Sequence, residues 1–200
     1  MSILEISDIQ HRFRKFSNGV RVSMLINRGI MNNNKGSKRW VNKIISTDSS
    51  EWINAINILM DFQKHLNDPD IRLYSCVNSR NIDKAIAMFK HKQIDLQDNM
   101  KLKFYTKLND AFSSCLMQPE NKLTKYFLLD VDTKDTSEVD KFIYDNNISI
   151  YSIYPTKKGW HYIVLPFNVK LAEGFKTFCV QKDGLLLINY LQDSGMKNET

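Results

Sequence analysis

The sequence predicts an α+β protein in which a mixed or antiparallel central sheet is flanked by helices. Helical and strand periodicities alternate through the middle of the chain, hairpin-like pairs of short apolar runs dominate its end, and no internal repeat is present. The 200 residues suffice for one large domain or two small ones, and a composition of 42% hydrophobic and 25% charged residues is typical of soluble globular proteins.

The net charge of +6 is concentrated at the amino terminus. Residues 1–47 contain nine lysines and arginines against Glu5 and Asp8, so the rest of the chain carries a charge of −1. A basic segment on a nearly neutral body suits a polyanionic partner, because each phosphate contact releases a counterion. A solvated basic surface that only aids solubility is the alternative. We therefore divide the chain into a basic amino-terminal segment, residues 1–47, packed on or preceding the core, and an α+β domain, residues 48–200.

The amino-terminal segment reads as irregular except for one strand over residues 20–26, which lies between two glycine-containing turns. A polar, basic loop over residues 32–39 then ends on an aromatic side chain. Such a loop can follow a phosphate backbone and stack on a base, although the aromatic residue can equally anchor the loop to the core. The candidate nucleic-acid contacts are Lys35, Lys38, Arg39, Trp40 and Lys43.

The first predicted helix begins after the capping residue Asp48 and extends to about residue 65, with Trp52, Ile56 and Leu59 at helical spacing. A strand is predicted over residues 71–77. A helix begins near Ile82, and a second one covers about residues 98–117.

The second half of the chain predicts more strands than helices. A strand over residues 126–132 precedes a helix that starts near Asp135 and ends at Asn146. Strands over residues 148–154 and 160–165 flank a turn and form a hairpin-like pair. A short helix near residues 169–175, a strand over 178–181 and an apolar run over 185–191 complete the chain.

Three cysteines, Cys76, Cys115 and Cys179, are scattered in apolar surroundings. This pattern predicts reduced core thiols in a cytoplasmic protein and not a disulfide framework or a zinc site, because the three cysteines are odd in number and widely scattered. No run of eighteen apolar residues is present, and the first residues lack the pattern of a secretory signal. We therefore expect no membrane span.

The most informative stretch is the apolar run over residues 126–132, which ends in Asp130, Val131 and Asp132. In a strand the two aspartates point to the same face, and two carboxylates so close repel each other unless a cation lies between them. A divalent metal such as Mg²⁺ prefers carboxylate oxygens and often also holds substrate phosphates. A solvated turn with a capping aspartate is the alternative for this pair.

About thirty residues later, the segment from Thr156 to His161 reads Thr-Lys-Lys-Gly-Trp-His and opens another strand. The ordered pair of segments resembles the first two motifs of the archaeo-eukaryotic primase superfamily, which includes primase-polymerases. In that family a hydrophobic strand ends in Asp-x-Asp or Asp-x-Glu, and a small hydroxyl residue, a basic or glycine-bearing turn and a histidine follow. The stretch from Arg72 to Arg80 is similar to the region before the first motif in small phage and plasmid members, so the resemblance covers roughly residues 70–190.

The resemblance implies an RRM-like primase catalytic core and a two-metal site that uses Mg²⁺ or Mn²⁺. Its metal ligands would be Asp130 and Asp132, with Asp183 as the candidate third acid, which departs from the family's pattern because two polar residues separate it from its strand. The catalytic set would be Asp130, Asp132 and His161. The nucleotide would contact Thr156, Lys158, Gly159, His161, Arg72 and Arg80. A plain hairpin turn at Lys182 and Asp183 is the alternative for the third acid. Arg72 can instead pair with a surface carboxylate, and Arg80 can flank a helix N-terminus without any substrate.

The resemblance also implies a function. We expect a DNA primase or polymerase that adds NTPs or dNTPs to single-stranded DNA or a primer-template, with other replication proteins as possible partners. Its location would be cytoplasmic, in a bacterial host cell if a phage or plasmid encodes the chain. Two alternatives are a catalytically inactive nucleic-acid-binding protein of the same fold and a metal-dependent phosphodiesterase.

Overall fold

The computed structural model describes residues 19–28, 40–99, 104–156 and 158–190. Within them lie eight strands and four α-helices. The strands are β1 (Arg21–Asn27), β2 (Trp40–Ser46), β3 (Ile71–Cys76), β4 (Phe127–Val131), β5 (Ile150–Pro155), β6 (Trp160–Val164), β7 (Phe178–Gln181) and β8 (Leu185–Tyr190). The helices are α1 (Ser49–Leu66), α2 (Ile82–Asn99), α3 (Phe104–Leu116) and α4 (Ser137–Asp145), and short 3₁₀ turns cover Pro119–Asn121 and Val169–Ala172.

The α+β class is confirmed, but the strands are divided between two sheets instead of one. Sheet I has the order β2-β1-β3-β8 and sheet II the order β5-β6-β4-β7. All the strand pairs in both sheets are antiparallel. The described part of the amino-terminal segment therefore contributes two strands of sheet I. The strand predicted over residues 20–26 is confirmed as β1, whereas β2 was expected to be irregular.

The two sheets and α1 share one core. Leu25 and Leu73 of sheet I, Leu128 and Ile163 of sheet II, and Trp52 of α1 all belong to it and are essentially inaccessible to solvent. The next residues along the strands of sheet I point to the other face, where a second apolar cluster packs against α2 and α3. Sheet II likewise packs its other face against α4 and an aromatic group around Phe142. Sheet I thus packs α2 and α3 on one face and the shared core, which includes α1, on the other, and sheet II packs α4 on the face opposite the shared core.

The helix predicted after Asp48 is confirmed. The Asp48 carboxylate accepts hydrogen bonds of 2.8 Å from the backbone N–H groups of Ser50 and Glu51, so it is a true N-cap. Asn67 ends the helix with a left-handed φ of 47°. The boundary predicted near residue 98 is wrong, because α2 continues to Asn99 and α3 begins at Phe104.

The cysteine prediction is only partly confirmed. All three cysteines are free thiols, and Cys76 and Cys115 are buried, but Cys179 is exposed on β7, an edge strand of sheet II. In the part of the chain that the structure describes, no helix is both long and apolar enough to cross a membrane.

Candidate active site

The carboxyl end of β4 places two carboxylates on one face of sheet II. Leu128 points into the core shared with sheet I, so alternation directs Asp130 and Asp132 to the same face. The backbone N–H of Asp132 donates to Thr177 O at 3.2 Å, which continues the pairing with β7 one step beyond β4. Asp130 is partly buried and Asp132 is exposed, so the pair lies at the rim where the shared core opens to solvent.

His161 lies directly beside Asp130. The register of β4 and β6 pairs these two residues, and Nε2 of His161 is 3.2 Å from Oδ1 of Asp130. On the other side of β4, Nε2 of Gln181 is 3.3 Å from Oδ2 of Asp130. Both oxygens of this carboxylate therefore accept a hydrogen bond, and side chains from β6 and β7 hold its orientation.

The electrostatics of the site favour an ionised Asp130. The hydrogen bond from His161 holds the pKa of Asp130 below its ordinary value, and the charges of protonated His161 and of Arg28 act in the same direction. Partial burial opposes this shift of the pKa. Asp130 is thus a carboxylate at neutral pH and is available as a ligand for a cation.

The imidazole of His161 is buried and contacts Asp130 through one of its two nitrogens. Its side chain is 7% exposed, and Nδ1 is buried without a hydrogen-bond partner among the described residues. Because Nε2 is directed at Asp130, neither nitrogen faces open solvent in this structure. The observed role of His161 is to orient Asp130, and its contact with a nucleotide stays a prediction.

Two further residues of the second motif, Thr156 and Gly159, bond each other in the turn between β5 and β6. The Thr156 N–H donates to Gly159 O at 2.9 Å, and the Gly159 N–H donates to Thr156 Oγ1 at 2.9 Å. A Cβ at Gly159 would lie 1.8 Å from Val131 O, so only glycine permits this approach to the end of β4. Thr156 and Gly159 therefore close the turn against β4. Lys158 is exposed in the same turn.

Asp183 does not join Asp130 and Asp132. Gln181 pairs with Leu128, so Asp183, two residues later, is level with Tyr126 at the other end of β4, about 13 Å from Asp130 at roughly 3.3 Å per residue. Its carboxylate instead binds the guanidinium of Arg80 at 2.7 and 2.9 Å. The three-acid set expected from the sequence does not form here, because the turn after β7 directs Asp183 toward the end of β3.

Arg80 and Arg72 both lie away from the carboxylate pair. The Arg80 side chain is completely buried and forms an ion pair with Asp183. Arg72 pairs with Ile26 and Tyr190, on the face of sheet I that packs against α2 and α3, whereas its neighbour Leu73 faces sheet II. The two arginines expected to contact a nucleotide are therefore not at the Asp130 site in this structure.

The predicted nucleic-acid contacts are only partly visible. Lys35, Lys38 and Arg39 lie outside the described residues, as does the side chain of Trp40. Lys43 pairs with Met24 in the register of sheet I, points to the α3 side, and forms an ion pair of 2.9 Å with Asp110. Lys43 thus lies on the face of sheet I that points away from Asp130 and Asp132.

Two residues of the site, Gln181 and Arg28, were not predicted from the sequence. Gln181 contacts Asp130 only because β7 pairs with β4 in one particular register, which no local pattern reveals. Arg28 follows β1, and its positive charge helps to lower the pKa of Asp130. A concentration of basic residues in the amino-terminal segment was the only feature of the sequence that pointed toward Arg28.

These features define an α+β protein with an oriented aspartate, a second carboxylate and a histidine at one strand end. Among the described residues no group of three or more His, Cys, Asp or Glu side chains could hold a metal ion by itself. Two carboxylates nevertheless fit Mg²⁺ or Mn²⁺, since such ions usually keep water and substrate phosphates as their other ligands. Comparison with protein families, curated proteins and solved structures found no match to this chain.

Proposed function

We propose that the chain is a nucleotidyltransferase of the primase-polymerase type, which adds nucleotides to a nucleic-acid strand with the help of Mg²⁺ or Mn²⁺. The contact between Asp130 and His161, with Asp132 following on the same face, is the observation that carries the proposal. It brings the two motifs of the sequence together at one strand end, where a substrate can approach from solvent.

In this reaction the 3′-hydroxyl oxygen of a nucleic-acid strand forms a bond to the α-phosphorus of a nucleoside triphosphate. The bond between the α-phosphorus and the oxygen that bridges to the β-phosphate breaks, so pyrophosphate leaves. The proton of the hydroxyl group is released. A bound divalent ion would activate the hydroxyl and neutralise the leaving group. Asp130 and Asp132 supply carboxylate oxygens for that ion. His161 and Gln181 hold the Asp130 carboxylate in place.

The direct test is incorporation of labelled NTPs and dNTPs on a primer-template and on single-stranded DNA, with Mg²⁺ and with Mn²⁺. We expect Asp130→Asn and Asp132→Asn to abolish metal-dependent incorporation. Asp145→Asn is the matched control, because it removes an exposed acid from α4 at a distance from the site. No incorporation by the unmodified chain, or full activity of Asp130→Asn, would exclude the proposal, as would cleavage of the strand without any nucleotide.

A second function is favoured by the engagement of Asp183 with Arg80. This ion pair leaves two carboxylates at the site, which suits a protein that binds nucleic acid without catalysis. In that case binding should weaken steeply with salt and should be unchanged or stronger in Asp130→Asn. Fluorescence anisotropy of a labelled single strand between low and high salt distinguishes this function from the first when combined with the incorporation assay.

A further inference from the structure

Arg28 directly follows β1, and its side chain is exposed to solvent. Its backbone is held in place, because the Arg28 N–H donates to Asp70 O at 2.9 Å in the turn before β3. Among the described residues, the guanidinium has no partner for a hydrogen bond or an ion pair. The chain therefore presents a positive charge at a defined position of the surface without neutralising it.

The register of sheet I places Arg28 at the same end of the shared core as Asp130. Asn78, just beyond β3, bonds the backbone of Tyr126 at 2.7 and 3.0 Å, so the carboxyl end of β3 meets the start of β4. β1 is antiparallel to β3, and the last residue of β1 pairs with the first residue of β3. Since sheets that pack face to face keep their strands roughly aligned, the end of β1 lies at the end of the core where β4 ends.

The charges of Arg28 and Asp130 interact without contact. The positive charge of Arg28 contributes to the lowered pKa of Asp130, yet the ion pairs of the described residues do not include one between them. The space that separates them opens to solvent, because Arg28 and Asp132 are both exposed. A ligand in this space meets carboxylates on one side and a guanidinium on the other. A phosphate group bound to a divalent ion has the complementary charges.

We propose that Arg28 binds the phosphates of the nucleoside triphosphate, which then lies between the end of β1 and the end of β4. The proposal rests on the proposed function and extends it, since it adds a residue of sheet I to a site otherwise built from sheet II. The planar guanidinium can donate two parallel hydrogen bonds to phosphate oxygens. Arg28 thus takes the role that the sequence predicted for Arg72 and Arg80.

The test measures the affinity for a fluorescent nucleoside triphosphate by anisotropy, with Mg²⁺ and without nucleic acid, so that no transfer takes place. Arg28→Gln should weaken triphosphate binding about tenfold, because charge-assisted hydrogen bonds are lost. Competition by the unphosphorylated nucleoside should be unchanged. Arg28→Lys, which keeps the charge but not the planar fork, should give an intermediate affinity. Lys90→Gln removes an exposed charge from α2 and is the control.

A second measurement does not need the nucleotide. Carboxyl titration by NMR should show the pKa of Asp130 rise toward its ordinary value in Arg28→Gln, because a positive charge that lowers this pKa is removed. The pKa should stay in place in Lys90→Gln. An unchanged pKa in Arg28→Gln would overturn the placement of Arg28 beside the site.

The incorporation assay separates this proposal from the proposed function. Normal incorporation by the unmodified chain, with unchanged triphosphate affinity in Arg28→Gln, would remove only the role of Arg28. An equal loss of affinity for the nucleoside would also remove it, because the phosphates would then not be the group that Arg28 binds. Neither triphosphate binding nor incorporation by the unmodified chain would remove both proposals.

Discussion

Asp183 binds Arg80 through two hydrogen bonds, of 2.7 and 2.9 Å, and the Arg80 side chain has no solvent exposure. Asn78 adds to this contact, because its amide donates to Tyr126 O at 3.0 Å and lies 3.5 Å from Asp183. The network joins the ends of β3 and β7 to the start of β4, and so connects the two sheets.

Removal of the Asp183 charge should destabilise the protein. In Asp183→Asn the buried guanidinium loses its counterion, and we expect the free energy of unfolding to fall by about 3–5 kcal/mol in urea titrations. Replacing both partners, in Arg80→Met/Asp183→Leu, should recover most of this loss because no buried charge remains unpaired. Unchanged stability of Asp183→Asn, together with weaker metal binding, would instead assign Asp183 to a metal site.

Gly159→Ala should disturb the end of β4. The added Cβ would lie 1.8 Å from Val131 O and 2.8 Å from backbone atoms of Thr133, so the hairpin must move and stability should fall by about 3 kcal/mol. Gly174→Ala is the control, since it meets no atom within 4 Å and costs only about 1–2 kcal/mol for its positive φ. Amide resonances of Asp132 and Thr133 should shift in the first variant alone; resonances that stay in place would contradict the close packing.

His161→Ala should raise the pKa of Asp130 toward its ordinary value, because the hydrogen bond from His161 is the main cause of the lowered pKa. The lowered pKa in the folded state adds stability that is present above the unfolded pKa, 3.8, and is lost as pH falls through the folded pKa. His161→Ala should therefore show less of this acid-dependent loss. Carboxyl titration by NMR measures the pKa, with His65→Ala, an exposed histidine on α1, as the control. An unchanged Asp130 pKa in His161→Ala would show that the contact is not formed in solution.

Gln181→Glu should strengthen metal binding. The Gln181 amide lies 3.3 Å from Asp130 Oδ2, so a glutamate there adds a third carboxylate to the pair. We expect the affinity for Mn²⁺, measured by calorimetry, to rise about tenfold, because affinity for hard cations increases with the number of charged oxygen ligands. Gln118→Glu makes the same change after α3, which packs against the face of sheet I that points away from Asp130, and should have no such effect. Equal affinity of the two variants would argue against a metal site at Asp130.

The local elements were largely predictable. Asp48 and the apolar stripe after it define α1, because a cap and a helical period are properties of a few neighbouring residues. The apolar run before Asp130 and the pair of strands around the 156–159 turn were predictable for the same reason. β2 was not, because this edge strand includes Asn42 and Lys43 and so lacks a continuous apolar pattern.

The sequence by itself determined that Asp130 and Asp132 share a face, because a strand has a period of two, and that His161 opens a later strand. Only the tertiary structure decided which strands pair and in which register. That register places His161 and Gln181 beside Asp130, directs Asp183 to Arg80, and turns Arg72 to the other face of sheet I. The physical reason is that side-chain direction along a strand is a local property, whereas pairing follows from the burial of faces by residues far apart in the chain.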